Sequence, residues 1–176
     1  FPECSNQKAN TTITSLDLGA ATVENLSSTT LLPAENHYLA TRHHLTHLTL
    51  PLTNKTKVLS ETTNTEEDKM VVPANIISSS IANNYLTTIT IPEGYDRIGK
   101  EAFKDCGNLT EVNFPNSLQV IDELAFENCI NIESLTLPEG LENIGKNAFK
   151  SGREGKLKTV NFPSTLKIVN DGAFYG

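Results

Sequence analysis

Residues 86–176 repeat one arrangement of apolar and polar positions: LTTITIPEGYDRIGKEAFKDCGN (86–108), LTEVNFPNSLQVIDELAFENCIN (109–131), IESLTLPEGLENIGKNAFKSGREGK (132–156) and LKTVNFPSTLKIVNDGAFYG (157–176). The period is 23 residues, with two extra in the third copy. Apolar positions recur as Leu86/Leu109/Ile132/Leu157, Ile89/Val112/Leu135/Val160 and Ile91/Phe114/Leu137/Phe162, each set followed by Pro92, Pro115, Pro138 or Pro163. Alternation of apolar Ile89 and Ile91 with polar Thr88 and Thr90 has the two-residue period of a half-buried strand. Proline has no N–H to give to a ladder, so it predicts the strand's end and a turn. Tyr95/Leu118/Leu141/Leu166 and Ile98/Ile121/Ile144/Val169 follow at spacing three, which suits an inward-facing turn. Gly99, Asp122, Gly145 and Asn170 come next, residue types of helix N-caps and left-handed turns. Ala102 and Phe103 then pair with Cys106 at the spacing of one side of a helix, predicting a short helical turn.

A unit of this size cannot bury its own apolar face, but stacked copies form a continuous core, and repeats at such a period mean a solenoid. The pattern therefore predicts an α/β solenoid with a parallel sheet on one face and short helices and turns on the other. Phe103, Phe126, Phe149 and Phe174 are expected to stack as an aromatic column on the outer side of the core.

The run L-x-x-I-x-I-P-x-x-L-x-x-I-G-x-x-A-F-x-x-C resembles the BspA-like subclass of bacterial leucine-rich repeats, closely over residues 86–176. The likeness departs at Ser151 and Gly152, where the cysteine is missing and the repeat is longer. The asparagine of ordinary leucine-rich repeats is replaced by Gly94, Ser117, Gly140 and Thr165, which fits the subclass. The resemblance implies a right-handed leucine-rich-repeat solenoid in a secreted or surface-displayed bacterial protein. It also implies a non-enzymatic binding or adhesion role toward a host or neighbouring-cell protein.

Upstream, ITSLDL (13–18) and LTHLTLP (45–51) carry the same strand spacing and read as degenerate copies with longer return segments. The domain expectation is one continuous solenoid: residues 1–85 as degenerate N-terminal repeats and long returns, and 86–176 as four repeats, the last incomplete. Residues 33–44 are expected to be helical, with Pro33 in the first turn. Residues 60–69 (SETTNTEEDK) contain no apolar residue and read as a solvated loop, and 71–84 as the return of the second long coil. About six strands are expected in the sheet.

Composition narrows the function. The chain has 176 residues, of which Thr, Ser and Asn make up 51, so its surface is rich in hydroxyls and amides. A net charge of −7 with only 14 Lys and Arg argues against nucleic acid as a partner. No apolar run reaches the ~18 residues that span a bilayer, so no membrane insertion by this chain is expected. The first residue is Phe1, as in a processed or cut form, which leaves any signal peptide out of view. The resemblance alone supplies the expected extracellular or cell-surface localisation.

Candidate chemistry is sparse. His37, His43, His44 and His47 are clustered but lack the phasing and the additional ligands of a zinc set, so no metal site is expected. Cys106 and Cys129 share a phase in adjacent coils and are expected to be free buried thiols. Cys4 lacks the small preceding residues of a lipidated cysteine. The sequons at Asn10, Asn25, Asn54 and Asn108 are what so Asn- and Thr-rich a chain yields by chance. Paired carboxylates, a phosphate-cradling glycine loop and a Ser/His/Asp set are all missing, and no catalytic residue or cofactor is expected.

The solvent side of the sheet is what remains for function. Its candidate partner-binding residues are Thr88, Thr90, Glu111, Asn113, Ser134, Thr136, Thr159 and Asn161, continued upstream by Thr14, Ser15, Asp17, His47 and Thr49. The leading expectation is a protein-binding face; the alternatives are a structural spacer for another domain and a carbohydrate-binding protein. The fourth repeat ends at Gly176 just after Phe174 and Tyr175, so self-association through an open C-terminal repeat is also expected.

Overall fold

The computed structural model describes residues 15–17, 22–23, 46–50, 53–59, 66–72 and 85–176. Strands β1 (Ser15–Asp17), β2 (Thr22–Val23), β3 (His47–Thr49), β4 (Thr53–Leu59), β5 (Glu66–Val72), β6 (Thr88–Thr90) and β7 (Tyr95–Ile98) occupy the first part of the chain. They are followed by β8 (Glu111–Asn113), β9 (Val120–Ile121), β10 (Ser134–Thr136), β11 (Asn143–Ile144), β12 (Thr159–Asn161) and β13 (Ile168–Val169). Each coil returns the chain to the same side one strand further along, so equivalent strands pair in parallel and in register. Ile89 lies opposite Val112, and Leu135 opposite Val160. A strand stands at each of the six places that the alternation marks, but the ladder is interrupted between β8 and β10. The face is thus a four-stranded sheet, β1-β3-β6-β8, followed by a two-stranded one, β10-β12.

The segment read as an inward-facing turn is a second short strand. Strands β7, β9, β11 and β13 pair in parallel and are extended by β5, β4 and β2 into a seven-stranded sheet. Strands β4 and β5 form an antiparallel hairpin with Lys55 opposite Met70 and Leu59 opposite Glu66. This corrects the loop reading of 60–69: Glu66 to Lys69 belong to β5, and 60–65 lie outside the described residues. Hairpin pairing is made by backbone groups, so a charged strand can form where hydropathy alternation is silent. Val71 and Val72 end β5, so the return expected over 71–84 starts as strand; its remainder and the helix expected at 33–44 lie outside the described residues.

The short helices do not form. Among the described residues the only helical segment is a 3₁₀ turn at Gly152–Glu154, in the third coil's two-residue insertion. Glu101, Phe103 and Asp105 send their N–H groups to Glu123, Ala125 and Glu127 of the next coil, at 3.1, 2.8 and 2.7 Å. Between them Ala102, Lys104 and Cys106 donate locally, three residues back, to Gly99, Glu101 and Phe103. An α-helix needs every N–H inside the segment; exporting alternate ones makes a third inter-coil ladder instead. That arc requires left-handed backbone at Glu101 (φ 57°) and Asp105 (φ 61°), and again at Leu124 and Asn128 (both 61°). Asp and Asn tolerate that conformation better than Leu. The fold is therefore a parallel-sheet β-solenoid with almost no helix among the described residues.

The core runs down the coil axis. Leu48, Ile89, Ile98, Leu118, Ile121, Leu135, Leu141 and Ile144 fill it from the two strand-bearing sides, and Ala102, Ala125 and Ala148 let the third side approach closely. The phenylalanine column forms as expected: rings of Phe103, Phe126, Phe149 and Phe174 stack at 5.2, 5.1 and 5.3 Å between centroids. Phe114 and Phe162 meet it edge-on, at 5.9 Å from Phe126 and 5.5 Å from Phe174.

Candidate functional site

Strands β3, β6, β8, β10 and β12 of this face each turn the middle residue inward and the flanking residues outward, and the register with β1 extends the two rows of short polar side chains that result. One row is Ser15, His47, Thr88, Glu111, Ser134 and Thr159; the other is Asp17, Thr49, Thr90, Asn113, Thr136 and Asn161. Thr49, Thr88 and Thr90 are half-buried and the others exposed. Thr14 lies outside the described residues.

The rows are not free of internal bonds. Asn113 Nδ2 donates to Thr90 Oγ1 at 3.3 Å, and Asn161 Nδ2 to Thr136 Oγ1 at 3.2 Å. These bonds orient the amides and leave their carbonyl oxygens toward solvent. Just before the strands, Thr87 and Thr110 donate their hydroxyls to the carbonyls of Thr46 and Thr87, at 3.0 and 3.1 Å. In the same position Lys158 meets Glu133 at 3.0 Å and holds its carboxyl below the usual carboxylate range.

The turns at the other end of the strands reveal an alternation not read from the sequence. The first and third coils carry Pro-Glu-Gly; the second and fourth carry Pro-Asn-Ser and Pro-Ser-Thr. Glu93 accepts the N–H groups of Asn116 (2.9 Å) and Ser117 (3.2 Å), and the Asn116 bond holds its carboxyl below the usual range. Glu139 likewise accepts the N–H and hydroxyl of Ser164, at 3.2 and 3.0 Å. On this face and its turns the coils therefore join in twos, first with second and third with fourth, each two also joined by its Asn-to-Thr bond, while the β9–β11 pair and the Lys150–Glu127 contact join second to third on the other sides. The interrupted ladder between β8 and β10 falls between these twos. There Gly140 closes the contact: a Cβ on it would stand 2.2 Å from the Asn116 carbonyl oxygen.

The remaining candidate groups are dispersed. His47 sits exposed on the sheet face with its Nδ1 2.8 Å from Thr46 Oγ1, while His37, His43, His44 and Cys4 lie outside the described residues. No group of three or more His, Cys, Asp or Glu among the described residues is arranged to hold a metal ion. Cys106 and Cys129 are buried and form no disulfide, as expected. Cys129 Sγ donates to the Phe103 carbonyl at 3.2 Å; burial above all, then the neighbouring Cys106, pushes its thiol up, opposite to what a nucleophile needs.

A model of the BspA type leucine rich repeat region matches residues 74–176, in six copies. The chain belongs to this family. Three solved structures show the same fold as this BspA-type chain. A leucine rich repeat protein of T. pallidum is 23% identical with a TM-score of 0.59, over 73% of this chain and 53% of that one. A leucine-rich repeat protein from Bacteroides capillosus is 25% identical with a TM-score of 0.50, over 69% and 80%. One from Bacteroides ovatus is 22% identical with a TM-score of 0.50, over 69% and 34%. The BspA-type chain thus spans about half the length of the T. pallidum protein. No curated protein sequence matches it.

Proposed function

We propose that this BspA-type chain is a non-enzymatic binding module of a bacterial cell-surface or secreted protein, and that an extracellular protein docks on its sheet face. The observation that carries the reading is the regular pair of polar rows, in which Thr90–Asn113 and Thr136–Asn161 recur two coils apart with their amides already oriented. Short side chains lose little entropy on docking, and an extended partner can follow the rows strand by strand. The face lacks Trp, Tyr and Arg, the usual hot-spot residues, so affinity is spread over many hydrogen bonds. The net charge of −7 disfavours anionic ligands.

Surface-exposed candidate proteins are to be titrated against the parent chain and a Thr90→Arg/Thr136→Arg variant. Loss of saturable binding in the variant is the expected result. Binding that persists in the variant but disappears when Lys104 and Lys150 on the third side are changed would place the site elsewhere. Absence of any saturable partner would favour a spacer, and turnover of a substrate an enzyme.

A further inference from the structure

The seam between the second and third coils is open on the sheet face. At the seams on either side of it, Ile91 N–H reaches the Asn113 carbonyl at 3.0 Å and Leu137 N–H the Asn161 carbonyl at 3.1 Å, while Thr110 and Lys158 donate to Thr87 and Glu133, each at 2.9 Å. The equivalent bonds, Phe114 to Thr136 and Glu133 to Thr110, are not made, and strands β8 and β10 belong to separate sheets. Side chains do not bridge the gap either: Asn113 turns its amide to Thr90, and Thr136 is held from the far side by Asn161. The opening reaches the core. Ile89, Ile91, Leu135 and Leu137 of the first and third coils are 0, 3, 3 and 4% exposed, whereas their counterparts in the second coil, Val112 and Phe114, are only partly buried. Next to Val112 stands Glu111, an exposed carboxylate with no ion pair among the described residues. The Gly140–Asn116 contact and the β9–β11 pair hold the two coils together beyond the gap, which is therefore bounded.

We infer, on the reading of the sheet face as the docking surface, that this seam anchors the partner: an extended, basic segment lies along β8 and β10, sets a large apolar side chain on Val112 and Phe114, and meets Glu111 with Lys or Arg. Three features select this occupant. The facing strands offer unpaired N–H groups at Phe114 and Glu133 and unpaired carbonyls at Thr110 and Thr136, and a polypeptide backbone carries both kinds of group at the strand repeat of roughly 3.3 Å per residue. The floor is apolar, so a sugar set there would bury hydroxyls against Val112 and Phe114, which costs free energy that an apolar side chain gains. Finally, the only charged side chains on the six strands of the face are Asp17 and Glu111, both acidic, which complements a basic segment. Docking there exchanges the water on the seam's backbone groups for protein hydrogen bonds and covers the one inward-facing pair that the first and third coils would otherwise bury.

Nuclear magnetic resonance of the intact, isotope-labelled chain tests this with two end-blocked nonapeptides that alternate lysine and threonine and differ only in a central leucine or alanine. Before peptide is added, the amides of Phe114 and Glu133 should exchange with solvent faster than their bonded counterparts Ile91 and Thr110. The leucine peptide should shift the amides around Val112, Phe114 and Ser134 saturably and slow that exchange, with the alanine peptide roughly tenfold weaker. Glu111→Gln should weaken the leucine peptide about two- to fivefold, and Ser134→Arg, on the exposed lip, should block it; circular dichroism reports the folding of each variant. No saturable shift with up to about 5 mM leucine peptide, equal binding of the two peptides, or shifts centred on the β6–β8 seam overturns the proposal. So does cellohexaose binding at the seam where the peptides do not. A protein partner lost in Thr90→Arg/Thr136→Arg but kept in Ser134→Arg would overturn the anchor alone, and one kept in both would overturn the sheet face with it.

Discussion

Truncating the phenylalanine column one coil at a time should give a graded series of stabilities. Phe126 is 1% exposed, stacks on Phe103 at 5.2 Å and on Phe149 at 5.1 Å, and meets Phe114 edge-on at 5.9 Å. Removing the ring loses its apolar transfer energy, leaves a cavity between coils that cannot collapse without breaking inter-coil ladders, and deletes ring pairs on both sides. Buried Phe→Ala costs ~3–5 kcal/mol, and Phe126→Ala belongs at the upper end. Phe174 is half-buried and has one stacked neighbour, Phe149, plus the edge contact with Phe162. Phe174→Ala should therefore cost about half as much, roughly 2 kcal/mol. Urea unfolding followed by far-UV circular dichroism, at concentrations where the chain is monomeric, reads both. In a solenoid governed by nearest-neighbour coupling, Phe126→Ala should also lower the m-value if it lets the two halves unfold separately, whereas Phe174→Ala should leave it alone. Equal costs at the two positions would refute the argument, because stability would then not follow the number of stacked neighbours.

Three other outcomes follow from particular contacts. Glu127 sits between Lys104 at 2.9 Å and Lys150 at 3.3 Å; burial pushes its carboxyl up, but the hydrogen bonds and charges of the two lysines outweigh that and hold it below the usual range. A depressed carboxylate stabilises the fold above its unfolded pKa and loses that contribution as pH falls through the folded one. Glu127→Gln should therefore cost about 1–2 kcal/mol near neutrality, with the gap to the parent closing in acid; a constant gap across that range would contradict it. Gly140→Ala should destabilise by more than about 2 kcal/mol, since its Cβ would meet the Asn116 backbone, while Gly107→Ala, which meets nothing within 4 Å, should be tolerated; chemical denaturation separates them. Cys106 and Cys129 should resist a thiol reagent in the folded chain and react on unfolding, and fast modification without unfolding would show that the core is open.

Much of this was readable from residue types. In-phase proline and two-residue alternation placed the outer strands, and the Ala-Phe pair placed the aromatic column, because both patterns follow directly from burial. The third side was misread because Ala102, Phe103 and Cys106 share one side of a helical turn and equally share the inner side of an arc. Side-chain spacing cannot tell whether Phe103 N–H bonds within its own coil or to Ala125 of the next. The β4–β5 hairpin escaped because Glu66 to Lys69 pair through their backbone. The pairing of coils was legible in principle: Pro-Glu-Gly alternates with Pro-Asn-Ser and Pro-Ser-Thr, and a carboxylate that recurs every second repeat asks for a donor in the one between. The polar rows could be placed by parity, but their Asn-to-Thr bonds depend on rotamers that no sequence states.

The joining of coils in twos bears on how the chain would yield to force. Its backbone hydrogen bonds run along the solenoid axis, so tension applied through the chain peels one coil from the next, breaking bonds a few at a time. A single released coil of 23 residues would lengthen the chain by about 70–80 Å. Glu93 and Glu139, with the Asn-to-Thr bonds, strengthen every second seam, and the one between lacks its outer ladder and is crossed by the β9–β11 pair and the Glu127–Lys150 contact. Extension would then proceed in steps of two coils, on the order of 150 Å each, giving a tether in which each break leaves a folded pair behind it.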